Sequence, residues 1–144
     1  MPYNNIQKEL IAAYNATEYR VYSPEIIITV GQLNKELDKL LLENNETEWT
    51  YITACNPFGR DCSEQENKNY YESLLQHVSD YKYFEGEGQG IDTTWPAEKS
   101  ILIIGISASQ AIEIGNKYNQ NAIVLGKYEQ VAELKFLDAF DRVS

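Results

Sequence analysis

One passage constrains the fold more than any other. Ile52-Thr53-Ala54-Cys55 is apolar and strand-like, Asn56-Pro57-Phe58-Gly59 is a turn, and Ser63-Glu64-Gln65-Glu66-Asn67 opens a helix. A strand that feeds a helix through a polar turn belongs to a sheet covered by helices. The turn also gathers backbone N–H groups, a hydroxyl and two carboxamides at one end of that sheet. Ligands of open α/β sheets bind at such strand ends.

The same strand-to-helix pattern recurs on both sides of this passage. Glu25–Val30 reads as a buried strand, Gly31 ends it, and Leu33, Leu37, Leu40 and Leu41 repeat at helical spacing over residues 33–44. Trp49–Ala54 is the next strand. Farther on, Ile101–Ile106 is a strand, Ser107–Tyr118 a helix and Ala122–Leu125 a strand. Ile6–Tyr14 and Ser63–Val78 carry helical stripes. Glu18–Tyr22 and Tyr81–Phe84 read as strands, and Glu129–Phe136 as an edge strand. A glycine-rich loop is expected from Glu85 to about Lys99. The two strand–helix–strand units predict right-handed crossovers. The fold expected is α/β: a single domain, residues 1–144, with a mixed sheet of five or six strands flanked by helices.

Size and charge narrow the function. A chain of 144 residues can bury its own core. Its 12 Lys and Arg against 22 Asp and Glu give a net charge of −10, with the basic residues scattered. Nucleic-acid binding draws its affinity from clustered cations, so no nucleic-acid partner is expected. The start of the chain lacks the blocks of a signal peptide, and no apolar run reaches the ~20 residues that span a bilayer. No membrane association and a cytoplasmic location are the expectations. Two cysteines and one histidine are too few for a structural zinc site, and Cys55 and Cys62 read as reduced thiols in that compartment.

The candidate site residues come from the turns. Ser63-x-x-Glu66 fits a capping box, and Ser107-x-x-Gln110 is a second. Ser63 and Glu66 therefore read either as a cap or as part of a helix start that presents N–H groups to a ligand. Asn67 stands outside the cap. Pro57 favours an extended backbone at Asn56, whose side chain can both donate and accept. Gly86-x-Gly88-x-Gly90 lacks the Lys-Ser/Thr of a phosphate loop and is flanked by Glu85, Glu87 and Asp92. Those carboxylates with Glu98 match no calcium loop, and no metal is expected. Trp95 beside Pro96 reads as a loop anchor or a ligand platform. Gln120, if buried, needs partners that a strand-end pocket can supply. His77 alone is thin material for a nucleophilic triad. Glu66 and Glu98 could do acid–base chemistry if burial raised them.

Taken in order, Thr53-Ala54-x-Asn56-Pro57, Ser63-x-x-Glu66-Asn67, Trp95-x-x-Glu98-x-Ser100 and Gln120-Asn121-Ala122 resemble the signature of an uncharacterised bacterial family, the domain of unknown function 3293. Tyr14-x-x-Thr17-x-Tyr19 fits as a lead-in, so the resemblance runs from about Tyr14 to Leu125. It implies recurrent polar positions at Asn56, Ser63, Glu66, Asn67, Glu98, Ser100 and Gln120, but carries over no established activity and leaves any cofactor unknown. Cys55 and Lys99 depart from the aromatic and acidic residues commoner there, which weakens a catalytic Cys55 and a metal site of adjacent carboxylates.

The leading expectation is a small-molecule or nucleotide-like ligand held by Thr53, Asn56, Ser63, Glu66, Asn67, Trp95, Glu98, Ser100 and Gln120. The alternative is a protein-interaction module without enzymatic activity, with an acidic surface and tyrosine-rich segments at residues 14–22 and 70–83. A carboxylate enzyme is a third reading.

Overall fold

The structure, a computed structural model, describes residues 2–90 and 96–144. Its elements are α1 (Asn5–Ala16), β1 (Glu18–Val21), β2 (Ile26–Ile28), α2 (Lys35–Glu43), β3 (Glu48–Thr53), α3 (Glu64–His77), β4 (Lys82–Gln89), β5 (Glu98–Ile104), α4 (Ala108–Lys117), β6 (Ala122–Lys127) and β7 (Glu133–Phe136). Short 3-10 turns occupy Pro57–Gly59 and Asp138–Arg142. Asn4, Asn34, Ser63 and Ser107 each accept a hydrogen bond from the amide three residues on, which starts the four helices. With Asn34 as its cap, α2 starts at Lys35, two residues past Leu33, which the sequence pattern had placed inside the helix.

The strands form one sheet in the order β2-β1-β4-β5-β3-β6-β7. Among the described residues the count is seven, above the expected five or six, because β2 and β7, of three and four residues, extend the two edges. All six ladders are antiparallel. The sheet is mixed only through an isolated parallel bridge between Val30 and Ala132. There Gly31 N donates to Ala132 O (2.8 Å) and Ala132 N to Gln32 O (3.1 Å). The sheet curls into a half-barrel, and this bridge ties its two ends together.

Both strand–helix–strand units are present, but their strands are not neighbours: β1, β4 and β5 lie between β2 and β3, and β3 lies between β5 and β6. The intervening unit β3-α3-β4 likewise has β5 between its strands. The segment β3-α3-β4-β5-α4-β6 with spatial order β4-β5-β3-β6 is therefore the split arrangement of ferredoxin-like domains. Alternating side chains serve two cores. Ile52, Ile101, Ile103 and Ile123 pack with Leu74, Ala111 and Ile114 of α3 and α4 and with Val78, which caps α3. Trp49, Tyr51, Leu102, Ile104 and Val124 pack with Leu37, Leu40 and Leu41 of α2. Among the described residues no helix is long and apolar enough to cross a membrane.

The glycine-rich segment corrects the expected loop. Residues 85–89 continue β4, paired on one side with β1 and on the other with β5. Glycine is required there by backbone approach, since a Cβ on Gly86 would fall 1.8 Å from Arg20 O. A Cβ on Gly88 would instead make ordinary contacts, at 3.8 Å to Thr17 and 4.0 Å to Tyr19. Gly86→Ala is thus expected to cost about 3 kcal/mol or more in denaturant unfolding. Gly88→Ala should change stability by less than about 1 kcal/mol, and equal costs would show that the β1–β4 approach does not matter.

Candidate functional site

The turn after β3 is built on an unusual backbone. Asn56 adopts the left-handed region (φ 50°, ψ 55°), not the extended conformation expected before a proline. Phe58 (φ 60°) and Gly59 (φ 71°) are left-handed as well. For a residue as bulky as Phe58 this is a strained conformation. Asn56 tolerates it because its polar groups are held from several sides. Its backbone N donates to Asn67 Oδ1 (2.8 Å). Its Oδ1 accepts from Cys62 N and from Asn67 Nδ2, both at 3.0 Å. Its Nδ2 donates to Glu98 Oε2 (2.8 Å). Residues from the β3 end, α3 and the β5 start thereby share one network.

A second clamp comes from the turn between α4 and β6. Phe58 N donates to Asn119 O (2.7 Å). Gln120, buried as its position suggested, donates from Nε2 to Cys55 O (3.0 Å) and Tyr118 O (3.2 Å). Thr53 and Ser100 are register partners across β3 and β5. Thr53 Oγ1 donates to Lys99 O (2.8 Å) and accepts from Cys55 N (3.0 Å), while Ser100 Oγ donates to Glu98 O (2.9 Å). Both hydroxyls fasten the backbone on which Glu98 and Cys55 sit.

The nine candidate residues therefore divide. Asn56, Asn67 and Glu98 meet directly, and Gln120, Thr53 and Ser100 buttress them. Ser63 and Glu66 do not join. Ser63 Oγ accepts from Glu66 N and Glu66 Oε1 from Ser63 N, both at 3.1 Å, on an exposed helix start. The cap engages one oxygen of each side chain with the other's amide, apart from the Asn56 network. Trp95 lies outside the described residues. Among those residues no three His, Cys, Asp or Glu side chains come together as a metal site.

The electrostatics separate the two glutamates considered for acid–base chemistry. Loss of hydration pushes the Glu98 carboxyl above its usual range, and the Asn56 bond only partly opposes this. Glu66 is exposed and held below the usual range by the Ser63 amide and hydroxyl. Burial likewise raises the Cys55 thiol, with the nearby Glu98 charge adding to it. A thiol raised in this way is a poor nucleophile.

Two neighbours were not among the candidates. Tyr14, near the end of α1, accepts a hydrogen bond from Asn121 Nδ2 (3.2 Å). Burial raises its hydroxyl, and Glu98 contributes by its charge. Gln7 on the same helix donates to Phe140 O (3.1 Å), which docks α1 against the C-terminal turn. The sequence places Tyr14 on the helical stripe of α1 and in the Tyr14-x-x-Thr17-x-Tyr19 lead-in, and Asn121 in the Gln120-Asn121-Ala122 motif, but neither pattern assigns its residue to the site. Among the described residues, surface depressions of about 60 and 340 Å³ lie away from this network, against Trp49 and against His77.

Fold and site together define a ferredoxin-like α/β domain whose β3 end carries a buried polar network. The chain belongs to the family described as Protein of unknown function (DUF3293), which matches residues 52–123. All nine candidate positions fall within that stretch; Tyr14 lies before it. No curated protein and no solved structure matches the chain.

A pH prediction follows from Glu98. The folded state holds this proton more tightly than the unfolded chain, so its contribution to stability falls as pH rises from the ordinary carboxylate range through the raised value. Glu98→Gln keeps an acceptor for Asn56 and removes that component. The difference between the two stability–pH curves should grow in favour of the variant across this window. Parallel curves would mean that Glu98 is not perturbed. Ser63→Ala should cost about 1 kcal/mol through the lost cap.

Proposed function

We propose that this chain binds a small polar or nucleotide-like molecule at the end of β3, with Asn56, Asn67, Glu98 and Gln120 supplying the hydrogen bonds. The observation that carries the reading is the network joining Asn56, Asn67 and Glu98. A turn of purely local purpose has no need of a carboxyl from another strand, least of all one whose ionisation burial opposes. Strained backbone and perturbed acids gather at binding sites. Both occur here within one turn. The polar groups satisfy one another, so a ligand enters by exchanging these bonds as the Asn56–Arg60 turn swings outward. The two free thiols, Cys55 and Cys62, suit a cytoplasmic setting.

Thermal-shift screening against nucleotides, sugars and organic acids tests the reading. A ligand at ~100 times its Kd adds about 2.7 kcal/mol of stability, a rise of several degrees in Tm. That rise should disappear in Asn67→Ala and Glu98→Ala. A panel without a hit, or a shift that survives both substitutions, counts against the site.

A further inference from the structure

Asn121 sits in the turn before β6 and is only 6% exposed. Its Nδ2 bonds Tyr14 Oη, and among the described residues its Oδ1 has no partner. Buried side-chain acceptors are rarely left this way, and one that is calls for a partner. Gly59 faces the carboxamide, where a Cβ would stand 3.2 Å from Nδ2. The turn covering Asn121 is the one with Asn56, Phe58 and Gly59 in left-handed geometry.

The Tyr14–Asn121 pair has a property that does not depend on how the carboxamide is turned. If Nδ2 donates to the tyrosine oxygen, the phenolic O–H is left as a donor and Oδ1 as an acceptor. If the carboxamide is reversed, the O–H donates to Oδ1, which leaves Nδ2 as a donor and the tyrosine oxygen as an acceptor. Either way, one donor stands beside one acceptor. The chemical complement is an N–H next to a C=O.

We propose that Tyr14 and Asn121 form a recognition edge for an uncharged amide, either a primary carboxamide or the lactam edge of a nucleobase, reached when the Asn56–Arg60 turn opens. This rests on the ligand-binding reading above and names its ligand class. Burial raises the Tyr14 hydroxyl further above its ordinary value, so it is a competent donor. The nearby Glu98 and the chain's net charge of −10 disfavour an anion at the same place.

Calorimetric titration with uracil and with nicotinamide tests the two sources of this edge. Dimethyluracil, in which both N–H groups are methylated, and nicotinate, which carries a charge, are the matched controls. Saturable binding of uracil or nicotinamide but not of the controls is expected. Tyr14→Phe should weaken it about fivefold to tenfold, the effect of one hydrogen bond, and Asn121→Leu should abolish it. Tyr14→Phe keeps the packed ring and therefore decides the matter if Asn121→Leu fails to fold. Binding of neither probe, affinity unchanged in Tyr14→Phe, or a probe-soaked crystal with only a water on Asn121 would overturn the proposal. A different ligand lost in Asn67→Ala and Glu98→Ala but indifferent to Tyr14→Phe would overturn it while leaving the proposed function standing. A screen without any ligand removes both.

Discussion

Burial of both faces of β5 organises the molecule. Ile101, Leu102, Ile103 and Ile104 are each at most 2% exposed, and successive residues point into opposite cores. A strand sealed on both faces has its polar groups met only by its neighbours, and here β3 and β4 supply the ladders on either side. The strand is fastened at its far end, where Gly105 N donates to Glu48 O (2.9 Å). At the near end the apolar run gives way to Glu98, Lys99 and Ser100. Glu98 is thus delivered to the mouth of β3 by packing several residues away from it.

That placement explains why the polar network is at once stable and strained. The Glu98 carboxyl loses hydration by being held there, and Asn56 restores only one bond. Asn56 can reach it only from a left-handed backbone, which a carboxamide held by Asn67 and Cys62 sustains. The capped start of α3 supplies Asn67 at the right height, and the α4–β6 turn closes the other side through Asn119 and Gln120. Each element does one job that depends on the others, which is how a strained turn persists in a folded protein.

The curl of the sheet has a related consequence. With β2 and β7 bridged through Val30 and Ala132, the short edge strands are drawn toward one another. The outer carbonyl of Ile27 is occupied by Asn34 Nδ2 (2.8 Å), so the β2 edge offers less to a passing strand. The same arrangement leaves α2 on one face of the sheet and α3 with α4 on the other, and α1 free to dock on the C-terminal turn and carry Tyr14 to Asn121.

Much of this was legible in the chain. The apolar runs at Ile26–Ile28, Trp49–Ala54 and Ile101–Ile104 announce strands, and capping residues at Ser63 and Ser107 announce helix starts, because these signals depend on neighbours a few residues away. That Asn56, Asn67, Glu98 and Gln120 stand at strand and helix ends was readable as well. Strand order was not. The pattern of strand, helix and strand is the same whether the two strands lie side by side or admit a third between them. Only the pairing of β5 with β3 and β4 decides. Gly86 read as a loop signal because the approach of Arg20 is a long-range fact. Asn56 read as extended because a local steric preference was overruled by hydrogen bonds from α3 and β5. Tyr14 and Asn121 stand 107 residues apart, and only the folded chain makes them neighbours.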